Sequence, residues 1–106
     1  MSQQIKNLKE HIQKAFADVE SADFLQKQIT KDKVRLSESF VEYMKKHPQS
    51  NFREWSDKFI EQHNINSTVP SEIQAIGISL LALDDLEHDI TNIYVKHISE
   101  YEAHHV

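Results

Sequence analysis

The residues with the most chemical potential lie in one short run: Asp84, Asp85, Glu87, His88 and Asp89. Asp84 and His88 stand four residues apart, and Asp85 and His88 three apart. On a helix both spacings bring a carboxylate beside an imidazole, a pair able to share a divalent metal. Helical di-metal bundles repeat a Glu-x-x-His motif on several helices. No such motif recurs in this chain, so a metal-binding bundle is a subordinate reading and no cofactor is expected. The plainer reading joins Asn92 to Asp84, Asp85, His88 and Asp89 as one acidic helix face. No Lys or Arg occurs between Lys58 and Lys96 to neutralise it. Such a face repels nucleic acid and attracts a protein with a basic surface.

Two other side chains in this region are candidates. Glu87 falls by angle near Leu83, Ile90 and Tyr94, and either reaches solvent at the edge of that arc or needs a buried partner. His97 falls between Tyr94 and Tyr101, where it serves as a core or interface histidine or as a pH-sensitive contact. His104 and His105 carry no expected function.

Catalysis is not expected. The chain has no Cys, no G-x-S-x-G elbow, no phosphate-binding Gly loop and a single Gly. The absence of Cys also removes disulfides and thiolate metal sites.

These residues need an element to position them, and the stretch from Pro70 to about Ala103 reads as one long helix. At 100° per residue, Ile76, Leu80, Leu83, Leu86, Ile90, Ile93, Tyr94, His97, Ile98 and Tyr101 fall within an arc of roughly 140°. Pro70 suits a helix entrance, and Ser71 with Gln74 has capping-box spacing. Between Ala75 and Leu83 the only polar side chain is Ser79, so this segment is apolar nearly all round and asks to be buried all round. Ala75, Ser79 and Ala82 form a small-residue stripe that, with Leu86, is the expected seam of a homodimer, the alternative being a central helix that the other three helices cover within a monomeric bundle. The helix is about 50 Å long, against a diameter of roughly 33 Å for a compact chain of this size.

Three further helices are expected. The first, about residues 3–20, carries Ile5, Leu8, Ile12, Ala15, Phe16 and Val19 on a stripe about 100° wide. The second, residues 22–46 with Ser21 as N-cap, aligns Ala22, Leu25, Ile29, Leu36, Phe40 and Tyr43. Thr30, Lys31 and Asp32 mark the alternative of a break in its middle. His47-Pro48 ends it. The third, residues 51–62, starts at an Asn51/Glu54 capping pattern and places Phe52, Trp55 and Phe59 together. His63 to Val69 is the longest polar connection. One Gly and two Pro leave little material for hairpins. The expected fold is therefore all-α, a small bundle of about four helices in one domain.

Charge divides unevenly along the chain. Residues 1–50 hold nine Lys/Arg against seven Asp/Glu, and residues 51–106 hold three against ten, which together give the net charge of −5. The polar start at Met1-Ser2-Gln3-Gln4 and the lack of a long apolar run point to a cytoplasmic protein with no membrane partner. The combined expectation is a protein–protein interaction protein: an inhibitor, an antitoxin- or immunity-like factor, or an adaptor. The competing class is a nucleic-acid-binding regulator using Lys27, Lys31, Lys33 and Arg35 of the second helix. Binding that survives high salt favours the first, and a steep salt dependence the second.

Overall fold

A computed structural model describes residues 2–105 of the protein, with side chains described over residues 3–92. Four helices follow one another: α1 (Ser2–Ala15), α2 (Val19–Lys46), α3 (Phe52–Glu61) and α4 (Pro70–His105). No strand occurs among the described residues. The fold is a small all-α bundle around a long C-terminal helix. At 1.5 Å per residue α4 is about 54 Å long, and the molecule measures 53 × 33 × 24 Å, so α4 sets the long axis.

Helix α4 is the spine, and α1 and α2 both lie on it. Ile78, Leu81, Ala82, Leu83 and Leu86 are buried in one cluster with Ile12 of α1, Leu25, Ile29 and Leu36 of α2 and Trp55 of α3, while the buried Ile76 and Leu80 adjoin Phe59, Ile60 and Ile65. This explains why residues 75–83 read as apolar nearly all round. Different sides of the same two turns face different helices of the same chain.

The closest approach is at Gly77. A Cβ at this position would overlap Ile12 Cγ1 and lie 3.1 Å from Ile12 Cδ1. Ile12 is only 2% exposed and has no free direction to move. Glycine within a helix costs roughly 0.5–1 kcal/mol relative to Ala, and here its missing side chain is the space that Ile12 fills.

The boundary between α1 and α2 lies earlier than the sequence suggests. Helix α1 ends at Ala15, and Asp18, not Ser21, caps α2: its carboxylate accepts from the Ser21 backbone N–H at 3.0 Å. That bond holds the Asp18 carboxyl below its ordinary value. Val19, expected on the first helix's stripe, is the first residue of α2 and is 87% exposed. Ala22 is exposed too. Helix α2 runs unbroken through Thr30, whose hydroxyl donates to the Gln26 carbonyl at 2.9 Å and so satisfies itself within the helix.

Helix α3 is capped as its sequence implies, with Asn51 Oδ1 accepting from the Glu54 N–H at 2.9 Å. The Glu54 carboxylate does not complete a capping box. It accepts instead from Ser50 Oγ at 2.6 Å. The helix attaches to α2 by aromatic packing: Trp55 lies 5.3 Å from Phe40, 5.4 Å from Phe52 and 5.7 Å from Phe59, centroid to centroid. A second tie lies at Tyr43, whose oxygen is 3.3 Å from Ser50 Oγ and accepts from Lys58 Nζ at 3.1 Å. These contacts lower the phenol pKa and raise that of Lys58.

Two stability measurements check this packing. Trp55 is 4% exposed, so Trp55→Ala is expected to cost about 3–5 kcal/mol in chemical denaturation. Gly77→Ala is expected to destabilise by about 1–3 kcal/mol through overpacking, although Ala is the better helix former. In an Ile12→Ala background the same change should become neutral or stabilising. A Gly77→Ala variant more stable than the parent contradicts the close approach.

Candidate functional site

The acidic run sits on α4 past the buried segment, and the fold supplies the cations that the local sequence lacks. Lys9 of α1 reaches Asp84 at 2.7 Å, and Lys33 of α2 reaches Asp89 at 2.9 Å. These two lysines straddle the run and tie both covering helices to the spine. The hydrogen bond to Asp89 raises the Lys33 pKa, with the charges of Asp89 and Asp85 adding to it. The acidic face is therefore compensated from within, a correction to the reading of an unpaired surface. Asp85 is half-buried, while Glu87, His88 and Asn92 are exposed. Asn92 Nδ2 donates to His88 Nε2 at 3.1 Å. Among the described residues, no three His, Asp or Glu side chains converge on a point that could hold a metal. Glu87 reaches solvent, so it needs no buried partner.

The residues of the expected seam separate. Ala75 is exposed and Ser79 half-buried, but Ala82 is 0% exposed and Leu86 is also buried. α1 and α2 already cover the buried pair, so burial of this segment does not require a second subunit. Tyr94, His97 and Tyr101 lie outside the described side chains.

Ala75 and Ser79 instead line a groove that sequence reading did not anticipate. One part of it, about 350 Å³, runs between α2 and the start of α4 past Phe24, Gln28, Asp32, Arg35, Ala75 and Ile78. A second part, about 280 Å³, continues past Leu36, Ser39, Phe59 and His63. Asp32, Arg35 and Ser79 border both. Arg35 pairs with Asp32, and Ser79 Oγ donates to the other Asp32 oxygen at 3.4 Å. At the far end His63 Nδ1 donates to the Phe59 carbonyl at 2.8 Å, which leaves Nε2 as the acceptor of the neutral ring. The groove is open to solvent, and its lining mixes apolar side chains such as Phe24, Ile78, Leu36 and Phe59 with polar ones, the half-buried Asp32 and Ser79 among them. Its residues come from α2, α3, the loop at His63 and α4, and nothing in their sequence spacing announces it.

The cations of α2 are largely engaged. Lys27 pairs with Asp23 at 3.4 Å, Arg35 with Asp32 and Lys33 with Asp89. A phosphate backbone would have to displace these carboxylates. No described helix is long and apolar enough to cross a membrane. No protein family model, curated protein or solved structure matches the chain.

The Lys33–Asp89 pair has a definite pH signature. A raised lysine pKa means that, while Asp89 is ionised, the pair stabilises the fold fully below the ordinary 10.5 and that this is lost as pH climbs through the higher folded value. Asp89→Asn is expected to return the Lys33 titration, followed by NMR, to its ordinary range and to cost about 0.2–1 kcal/mol at neutral pH. An unchanged Lys33 titration contradicts the pairing.

Proposed function

We propose that this protein works by binding another protein, whose helical or extended segment lies in the groove between α2 and α4. The observation that supports this is the groove's form: two open clefts, about 350 and 280 Å³, joined through Asp32, Arg35 and Ser79. Small-molecule sites enclose most of their ligand. An open cleft with a mixed lining suits a polypeptide, whose apolar side chains meet Phe24, Ile78 and Phe59 and whose polar groups meet Gln28, Arg35 and Ser39. Ala75 and Ser79, read in the sequence as a close-approach stripe, leave room for it.

The net charge of −5 favours a partner segment with basic flanks. Asp85, Glu87 and Asp89 lie further along α4 and extend the attraction beyond the groove, while Asp84 and Asp89 also serve the internal pairs. An inhibitor, an antitoxin- or immunity-like factor or an adaptor in the cytoplasm would each work this way. The competing class, a nucleic-acid-binding regulator, would use the α2 cations, of which Lys27, Lys33 and Arg35 pair with carboxylates.

The test fills the groove from its exposed wall. Ala75→Trp changes an exposed position, so its effect on stability should stay within about 0.5 kcal/mol. Proteins captured from the native cells by the parent chain are expected to bind this variant at least about tenfold more weakly, the loss of roughly 1.4 kcal/mol. Equal capture by both moves the binding surface elsewhere. Capture of nucleic acid, lost steeply as salt rises, supports the regulator instead. Reversing Asp84, Asp85 and Asp89 to Lys is a poorer test, since it places lysines against Lys9 and Lys33.

A further inference from the structure

We propose that α1 is an exchangeable arm: residues 16–18 can become helical, joining α1 and α2 into one rod that delivers α1 to α4 of a second copy of this chain.

The break between the helices has little to hold it. Phe16-Ala17-Asp18 contains neither Gly nor Pro, and every residue of it is compatible with a helix. The apolar stripe Ile5, Leu8, Ile12, Ala15, Phe16 and Val19 runs through the break with helical spacing and without interruption. Yet Val19, at the centre of that stripe, is 87% exposed in the closed chain. Two local features favour the break: the Asp18 cap, a single bond to the Ser21 N–H, and the stacking of Phe16 on Phe24 at 6.1 Å.

Helix α1 is also separable. It packs chiefly on α4, through Ile12 against Gly77 and Lys9 against Asp84. A fused rod over residues 2–46 would be about 68 Å long. In it the α1 stripe is turned by about 100° from the α2 stripe, so a rod lying on its own α4 through Leu25, Ile29 and Leu36 cannot seat Ile12 there as well. The vacated surface at Gly77 fits the α1 of a second copy, because it is shaped for that side chain. Two chains exchanging arms restore every α1–α4 contact and give up the Asp18 caps and the Phe16–Phe24 stacks, the usual economy of a domain swap.

The experiment combines mass measurement with a zero-length carbodiimide crosslink between Lys9 and Asp84, which lie 2.7 Å apart. Light scattering at high protein concentration is expected to show a dimer fraction for the unaltered chain. Asp18→Ala removes a cap worth a factor of about five per chain, so dimerisation should strengthen on the order of 20-fold. Ala17→Pro keeps residues 16–18 from becoming helical and should leave only monomer. In dimers formed from mixed isotope-labelled and unlabelled chains, Lys9–Asp84 crosslinks should join different chains. Any of three results overturns the proposal: no dimer of the unaltered chain or of Asp18→Ala, crosslinks confined to single chains within the dimer, or an Ala17→Pro variant that dimerises like its parent.

Discussion

The fold depends on the contact between Ile12 and Gly77. The chain has one glycine, and it stands inside a helix where any larger residue would collide with Ile12. That contact lets α1 sink against α4 and close one side of the apolar segment that α2 covers from another. Without α1, Gly77 and the side of the Ile78 to Leu86 cluster that Ile12 closes would face water on a helix too apolar to remain solvated there. The sequence around Gly77 is thus explained by what packs on it and needs no second subunit.

Electrostatics then fixes how the covering helices sit. Lys9 and Lys33 come from helices with a surplus of cations and meet Asp84 and Asp89 on the helix with a surplus of acids. The uneven charge of the two halves is partly an internal arrangement, in which the basic half of the chain folds over the acidic half. Each pair is partly exposed and contributes modestly to stability. Their positions at either end of the acidic run nevertheless oppose sliding of α1 or α2 along α4. What remains for a partner is the outward side of α4 at Glu87, His88 and Asn92, and the groove beside Ala75 and Ser79.

Local signals in the sequence were reliable where local physics decides. Pro70 opens α4, Asn51 caps α3, and the Trp55 face packs on Phe40, each through groups a few residues apart or a clear periodicity. The α1–α2 boundary was misplaced because the stripe from Ile5 to Val19 keeps its period across the break, and the cap chosen was Ser21 where the fold uses Asp18. The acidic face looked unpaired because its partners lie 56 and 75 positions away in the chain, at Lys33 and Lys9. The groove was invisible for the same reason: Phe24, Arg35, Phe59 and Ser79 share no periodicity, only a place. Pattern within an element was legible, whereas the meeting of elements was not.

Amide hydrogen exchange tests the central claim, that α4 is enclosed by its own chain, most directly. At a dilution at which light scattering gives the monomer mass, residues 76–86 of α4 and 25–36 of α2 should exchange slowest, with protection close to the global stability. Amides of α1 near Ile12 should be protected well above the level of an isolated helix of this length, which is marginal in water. Residues 5–12 exchanging as an unstructured peptide, while α4 stays protected only at concentrations that favour association, would contradict it.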